Sequence, residues 1–265
     1  MRVRLKDVYL AVEERGDGRP LLFIHGYPLR GAMWAPQIEG LADVARVIVP
    51  DLRGHGESDA TTGAYSMDLL AEDCREMLDA MGIIEPIVIC GLSMGGYVTF
   101  AFYRKYPERV AGLILAATRA VDDSPEGKAN RDKAADLARQ GGTGAIVESM
   151  LPKMFAPKTY LERADLVQNL REIMQGVSLD GILGDLMGMK SRPDSTPTLG
   201  QIDKPTLILH GSDDQLIPVS DASSMQSVVA GSVLRVLQDS GHLLNLEQPD
   251  LFNQAIREYL KELHR

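Results

Sequence analysis

The segment Ile87-Val-Ile-Cys-Gly-Leu-Ser-Met-Gly-Gly96 constrains this chain more than any other. An apolar, β-branched run stops at Gly91-Leu92-Ser93-Met94-Gly95, and a helix-compatible stretch begins at once. That order of strand, sharp turn with serine, then helix is what a nucleophile elbow requires. Such a turn holds the serine in a strained backbone conformation and raises its hydroxyl above the sheet edge. Side chains at positions 91 and 95 would collide with so tight a turn, and Gly96 lets the new helix pack against neighbouring backbone. The helix N-terminus brings free N–H groups and positive dipole character to the place where an oxyanion would form. The bland reading of the same residues is a glycine-rich turn with an exposed serine.

The rest of the composition narrows the partners. With 265 residues there is enough chain for a sizeable core, and 25% charged residues is ordinary for a globular protein. A formal net charge of −9 argues against a nucleic-acid surface and points toward neutral or apolar ligands. Cys74 and Cys90 fall in a helical and a strand pattern, which predicts buried thiols in a reducing compartment rather than a disulfide framework. The first residues lack the apolar run of a signal peptide and no segment reaches membrane-spanning length, so a cytoplasmic protein without membrane contact is expected, as a monomer or homodimer.

Strand and helix patterns alternate along most of the chain. Val8, Leu10 and Val12 alternate in a first strand region, and Leu21–Ile24 is a continuous apolar run of the kind buried on both faces. A helix containing Trp34 follows, then a strand at 46–49 and a polar loop over 51–58. Ser66 is placed to cap a helix reaching about Met81. After the elbow come strands at 110–115, 205–209 and 232–237, and an amphipathic helix from about Pro249 to Leu263. From about 119 to 201 the alternation stops. Helical segments broken by Gly141-Gly142, Pro152, Pro157, Gly176 and Pro193 replace it. The expected architecture is an α/β core of residues 1–118 and 202–265 with a mainly parallel sheet, and a helical cap of 119–201 inserted after the sixth strand. Open α/β sheets bind ligands at the carboxyl ends of their strands, so the cap is expected to cover that end as a lid.

A serine hydroxyl needs a base to take its proton, and histidine is the usual one. With the elbow this early, acid and then histidine should follow the serine, which removes His25 and His55. His264 lies at the end of a charged helix. His210 ends a strand and leaves no acid sensibly placed. His242, in the loop after the last strand, is the candidate base. The acid that orients it should be Asp213 or Asp214, and spacing alone does not separate the two. Two oxyanion donors are required: the N–H of Met94, and the N–H of Tyr27 in the loop after Leu21–Ile24, where Pro28 has none to offer.

These segments together resemble the α/β-hydrolase superfamily over essentially the whole chain. His25-Gly26-Tyr27-Pro28, Asp51-Leu-Arg-Gly-His-Gly-Glu-Ser58, Gly91–Gly96, Gly211-Ser-Asp-Asp-Gln-Leu-Ile-Pro218 and Gly241-His242 look like its landmarks, in order. The resemblance implies the α/β-hydrolase fold, selects Asp214 over Asp213 and gives the 51–58 loop a structural role. The elbow is similar to those of 3-oxoadipate enol-lactonases and carboxylesterases. The His-Gly-Tyr-Pro loop is similar to those of arylesterases and cofactor-free haloperoxidases, where such a proline goes with perhydrolase side activity.

The expected activity is therefore hydrolysis of small to medium carboxylic esters by Ser93, His242 and Asp214, without metal or organic cofactor. A lactonase acting on enol-lactones or acyl-homoserine lactones is the enzymatic rival, and a non-catalytic small-molecule receptor the rival of another class. Substrate contacts are expected from Tyr27, Trp34, Met94 and Leu243. On the cap, Met150, Met154, Phe155 and Leu186 are expected to add more, with plain core packing as the competing role for each.

Overall fold

In the computed structural model, which describes residues 1–263, the chain begins with β1 (Arg2–Arg4) and β2 (Tyr9–Arg15), then β3 (Pro20–Ile24). A 3-10 turn at Gly31–Trp34 leads into α1 (Ala35–Leu41), so Trp34 ends that turn rather than sitting inside the helix. Pro36 in the first turn of α1 suits a position whose N–H has no helical partner. β4 (Arg46–Pro50) and α2 (Met67–Ala80) follow, and the Ser66 hydroxyl caps α2 by accepting from the N–H of Leu69. β5 (Ile87–Leu92), α3 (Met94–Lys105) and β6 (Val110–Ala116) complete the first half.

Between the sixth and seventh strands lie five helices: α4 (Pro125–Met150), α5 (Pro157–Glu162), α6 (Ala164–Gln175), α7 (Leu179–Ser191) and α8 (Thr196–Leu199). The breaks fall at the expected glycines and prolines, and α4 kinks at Gly142. The alternation then resumes with β7 (Thr206–Gly211), α9 (Val219–Val228), β8 (Val233–Leu237), α10 (Leu244–Glu247) and α11 (Pro249–Leu263). The eight strands form one sheet in the order β1-β2-β4-β3-β5-β6-β7-β8. β1–β2 and β2–β4 pair antiparallel and every later pair is parallel, which is the α/β-hydrolase arrangement.

β3, β5 and β7 are buried along their whole length, as continuous apolar runs require when helices cover both faces. One apolar cluster fills the face under α2 and α3, the other the face under α1 and α11. Cys74 and Cys90 are buried, one in each cluster, and burial lifts both thiols above their usual range. No helix among the described residues is long and apolar enough to cross a membrane.

Two clusters of hydrogen bonds that fasten the helices between β6 and β7 to the core lie near the expected site. At the first, Ser178 N–H and Oγ donate to the Gly54 carbonyl, Gly56 N–H donates to Gly176, and Tyr65 N–H donates to Gly184. A fully buried pair stands beside these bonds: His55 Nε2 lies 3.0 Å from Asp185 Oδ2 on α7, slightly off the hydrogen-bond line. His55 Nδ1 lies 2.9 Å from the Arg53 carbonyl; burial opposes charge on this ring, but Asp185 beside it raises the His55 pKa overall. At the second place, Glu247 accepts from Ala156 N–H (2.9 Å) and the Thr159 hydroxyl (2.5 Å) with one oxygen, and from Gly241 N–H (2.6 Å) with the other. This single buried carboxylate joins the inserted helices to the loop that carries His242.

Candidate active site

Ser93 stands between β5 and α3 with φ 56° and ψ −115°, a conformation strained for any side chain. What holds it there is crowding of backbone on backbone. A Cβ at Gly95 would lie 2.2 Å from the Ile24 carbonyl oxygen, and one at Gly91 would lie 2.2 Å from the Gly95 oxygen. Hydrogen bonds complete the turn: Ser93 N–H donates to Ala116 O, and the Thr118 hydroxyl donates to Ser93 O at 2.8 Å.

The loop after β3 lies directly against this turn, since a Cβ at Gly26 would come 3.2 Å from the Ser93 Cβ. His25 pins that loop. Its Nε2 accepts from Leu52 N–H (3.0 Å), so its proton is on Nδ1, which donates to the Gly26 carbonyl (3.0 Å). Burial, helped by the neighbouring His55, pushes the His25 pKa well below the usual range and keeps the ring neutral for this task. Among the described residues no protein group accepts from Tyr27 N–H or Met94 N–H, the two expected oxyanion donors.

His242 follows β8 and its Nδ1 is 2.8 Å from Asp214 Oδ2, with both side chains almost completely buried. Asp214 Oδ1 accepts from Leu216 N–H (2.8 Å) and Ile217 N–H (3.0 Å), and His210 Nε2 approaches Oδ2 to 3.4 Å. Burial alone would raise the Asp214 pKa, but the adjoining His242 and these hydrogen bonds hold it well below the carboxylate range. Asp213 is exposed and accepts only from its neighbour Ser212. Geometry thus separates the two acids that spacing left equivalent.

Ser93 and His242 face one cavity of about 120 Å³, with Tyr27 on its wall. Met150 is there as expected. Six other expected contacts are not, and each is corrected by where its side chain packs. Trp34 is sealed in the core, 4.7 Å from the Phe23 ring and 6.0 Å from Phe252 between centroids. Met154, Phe155 and Leu243 are fully buried and act through backbone: Leu243 N–H donates to Met154 O at 3.0 Å, beside the loop of His242. Leu186 lines an outer groove between α4 and α7 instead. Met94 too is buried in the core, away from the cavity lining.

The walls that sequence reasoning missed are Tyr97, Arg119, Arg131, Met189, Leu216 and Ile217. Tyr97 had a signal, because it lies one helical turn beyond Ser93 on the elbow helix. Leu216 and Ile217 immediately follow the acid. Nothing local marks Arg119, Arg131 or Met189.

A buried carboxylate organises the arginines. Asp123 receives Arg119 Nη2 and Arg131 Nε at 2.9 Å each and Arg192 Nη1 at 2.8 Å. Burial works against its ionisation, but the arginines, Arg131 first, bring its pKa down to about 2. An aspartate in an unfolded chain titrates near 3.9, so this group stabilises the fold fully above about pH 4, and the contribution disappears as pH falls toward 2. Asp123→Asn is expected to cost about 2–3 kcal/mol at pH 7. Urea melts from pH 7 down to 2 should show the gap to wild type closing below pH 4. A gap constant over that range would contradict the assignment.

The chain matches the α/β-hydrolase fold family over residues 19–179, and it belongs to that family. Among solved structures it is similar to a thermophilic esterase from Thermogutta terrifontis, described with malate bound: 40% identity, 100% of this chain and 99% of that one covered, TM-score 0.96. It is 29% identical over 250 residues to 3-oxoadipate enol-lactonase 2 of Acinetobacter baylyi, covering 94% of this chain and 91% of that protein. The enol-lactonase structure from Burkholderia xenovorans is 25% identical with TM-score 0.91, covering 98% of this chain and 100% of the other.

Proposed function

We propose that this hydrolase is a serine carboxylesterase. The observation that carries the reading is the 2.8 Å bond from His242 Nδ1 to the ionised Asp214, on a histidine that shares one cavity with a strained Ser93. Asp214 holds the imidazole with its Nε2 free as a base, and stabilises the imidazolium that forms. Ser93 Oγ attacks the ester carbonyl as His242 takes its proton. The carbonyl oxygen, now an anion, is received by the N–H groups of Tyr27 and Met94. Collapse expels the alcohol, which leaves with the proton from His242. Water, deprotonated by the same histidine, then attacks the acyl-enzyme and releases the acid.

The small cavity supports short acyl chains. Hydrolysis of p-nitrophenyl esters is expected to be fastest from acetyl to butyryl and to fall by about tenfold or more by octanoyl, because the longer chain overfills the space. A rate that rises steadily with chain length would refute the short-chain reading. Lactone hydrolysis is the second reading, supported by likeness to the enol-lactonases. A lactone preferred tenfold over an open ester of the same acyl length would make it the main activity.

A further inference from the structure

Two arginines share the cavity with Ser93 and His242: Arg119, shortly after β6, and Arg131, on α4. A neutral ester needs neither, and a chain of net charge −9 has brought cations to its nucleophile against its overall balance. Asp123 accounts for one positive charge, yet three arginines converge on it. Arg192 is spent. Its guanidinium is 3% exposed, lies 4.0 Å over the Tyr97 ring, and donates to the Met189 and Val121 carbonyls. The other two keep donors in hand. Arg131 uses Nε on Asp123, and no protein group among the described residues accepts from its Nη groups; Arg119 uses Nη2, and its buried Nε has no acceptor.

Neighbouring carboxylates do not cancel this surplus. Asp185 sits 3.0 Å from His55, which is the cation nearest to it, and burial raises its pKa. In the outer groove, which Arg131 also lines, Asp132 is held by Lys190 (2.6 Å) and Asp136 by Arg139 (2.9 Å). Partly buried cations without counter-charge are costly, and a planar guanidinium fork matches a carboxylate in geometry and charge.

We propose that Arg119 and Arg131 form a carboxylate subsite, and that the substrate is an ester or lactone bearing a free carboxylate a few bonds from the scissile carbonyl. The inference rests on Ser93 being the esterase nucleophile. The test compares kcat/KM for monomethyl succinate with methyl 4-methylpentanoate, a neutral ester of the same shape. Wild type is expected to prefer the anionic ester by at least tenfold, with a KM for it that rises with salt. Arg119→Gln and Arg131→Gln should each cut the preference by about tenfold, and Arg131→Lys, which keeps charge but loses the fork, by less. Thermal melts of each variant report folding separately.

A wild-type preference for the neutral ester, or a preference that survives both glutamine substitutions, would overturn the subsite and leave the esterase reading intact. Turnover of neither ester by folded protein would count against the esterase reading. Calorimetric titration with succinate then decides the subsite alone: binding lost in Arg131→Gln upholds it, and no binding to wild type rejects it.

Discussion

Replacing Ser93 with alanine is expected to lower ester turnover by about 10⁴-fold or more, leaving only the acceleration that the oxyanion donors provide without a nucleophile. The fold should survive, because the hydroxyl makes no hydrogen bond to protein that holds the elbow; the backbone bonds to Ala116 and Thr118 do that. Alanine at φ 56° remains strained. Glycine does not, so Ser93→Gly should be equally inactive and about 1 kcal/mol more stable than Ser93→Ala. Measuring kcat/KM and Tm on both variants separates chemistry from strain. Residual activity above a hundredth of wild type would mean that another group attacks the ester.

The second large effect is expected from a residue with no side chain. In Gly95→Ala the added Cβ would lie 2.2 Å from the Ile24 oxygen and 2.9 Å from the His25 oxygen. Both obstacles are backbone, so neither can rotate away, and α3 must separate from the loop after β3. The expected costs are about 3 kcal/mol in stability and, because Tyr27 N–H belongs to that loop, about 10²-fold or more in turnover. Gly144→Ala is the control: its Cβ meets nothing within 4 Å, in a helix where alanine is the better former. Similar losses in both variants would show that crowding at the elbow is not the cause.

Much of this was legible in the sequence because it is written locally. The elbow, the Ser66 cap, the buried runs of β3 and β5 and the helical breaks at Gly142 and Pro157 each depend on residues adjacent in the chain. His242 could be reached by elimination and chain order. Asp214 could not be told from Asp213 by spacing, because what distinguishes them is which carboxylate the turn rotates inward onto His242 and His210.

The cavity walls were mostly illegible, and for a physical reason. Whether Trp34 or Phe155 meets substrate depends on how helices distant in sequence pack, and both lie in the core instead. The same packing brings Arg119 and Arg131 to the cavity, although each alone reads as an ordinary surface charge. Glu247, 6% exposed, reads from sequence as a polar residue before a helix, yet it joins the inserted helices to the His242 loop.

The central claim is that Ser93 becomes covalently acylated with His242 as its base. Diisopropyl fluorophosphate, which traps such serines by the same attack, tests this directly by mass spectrometry of the intact chain and its peptides. One phosphoryl adduct per chain is predicted, on the peptide containing Ser93, absent from Ser93→Ala and much slower to form in His242→Ala. An unmodified Ser93 in folded protein, or an adduct at equal rate without His242, would contradict the account.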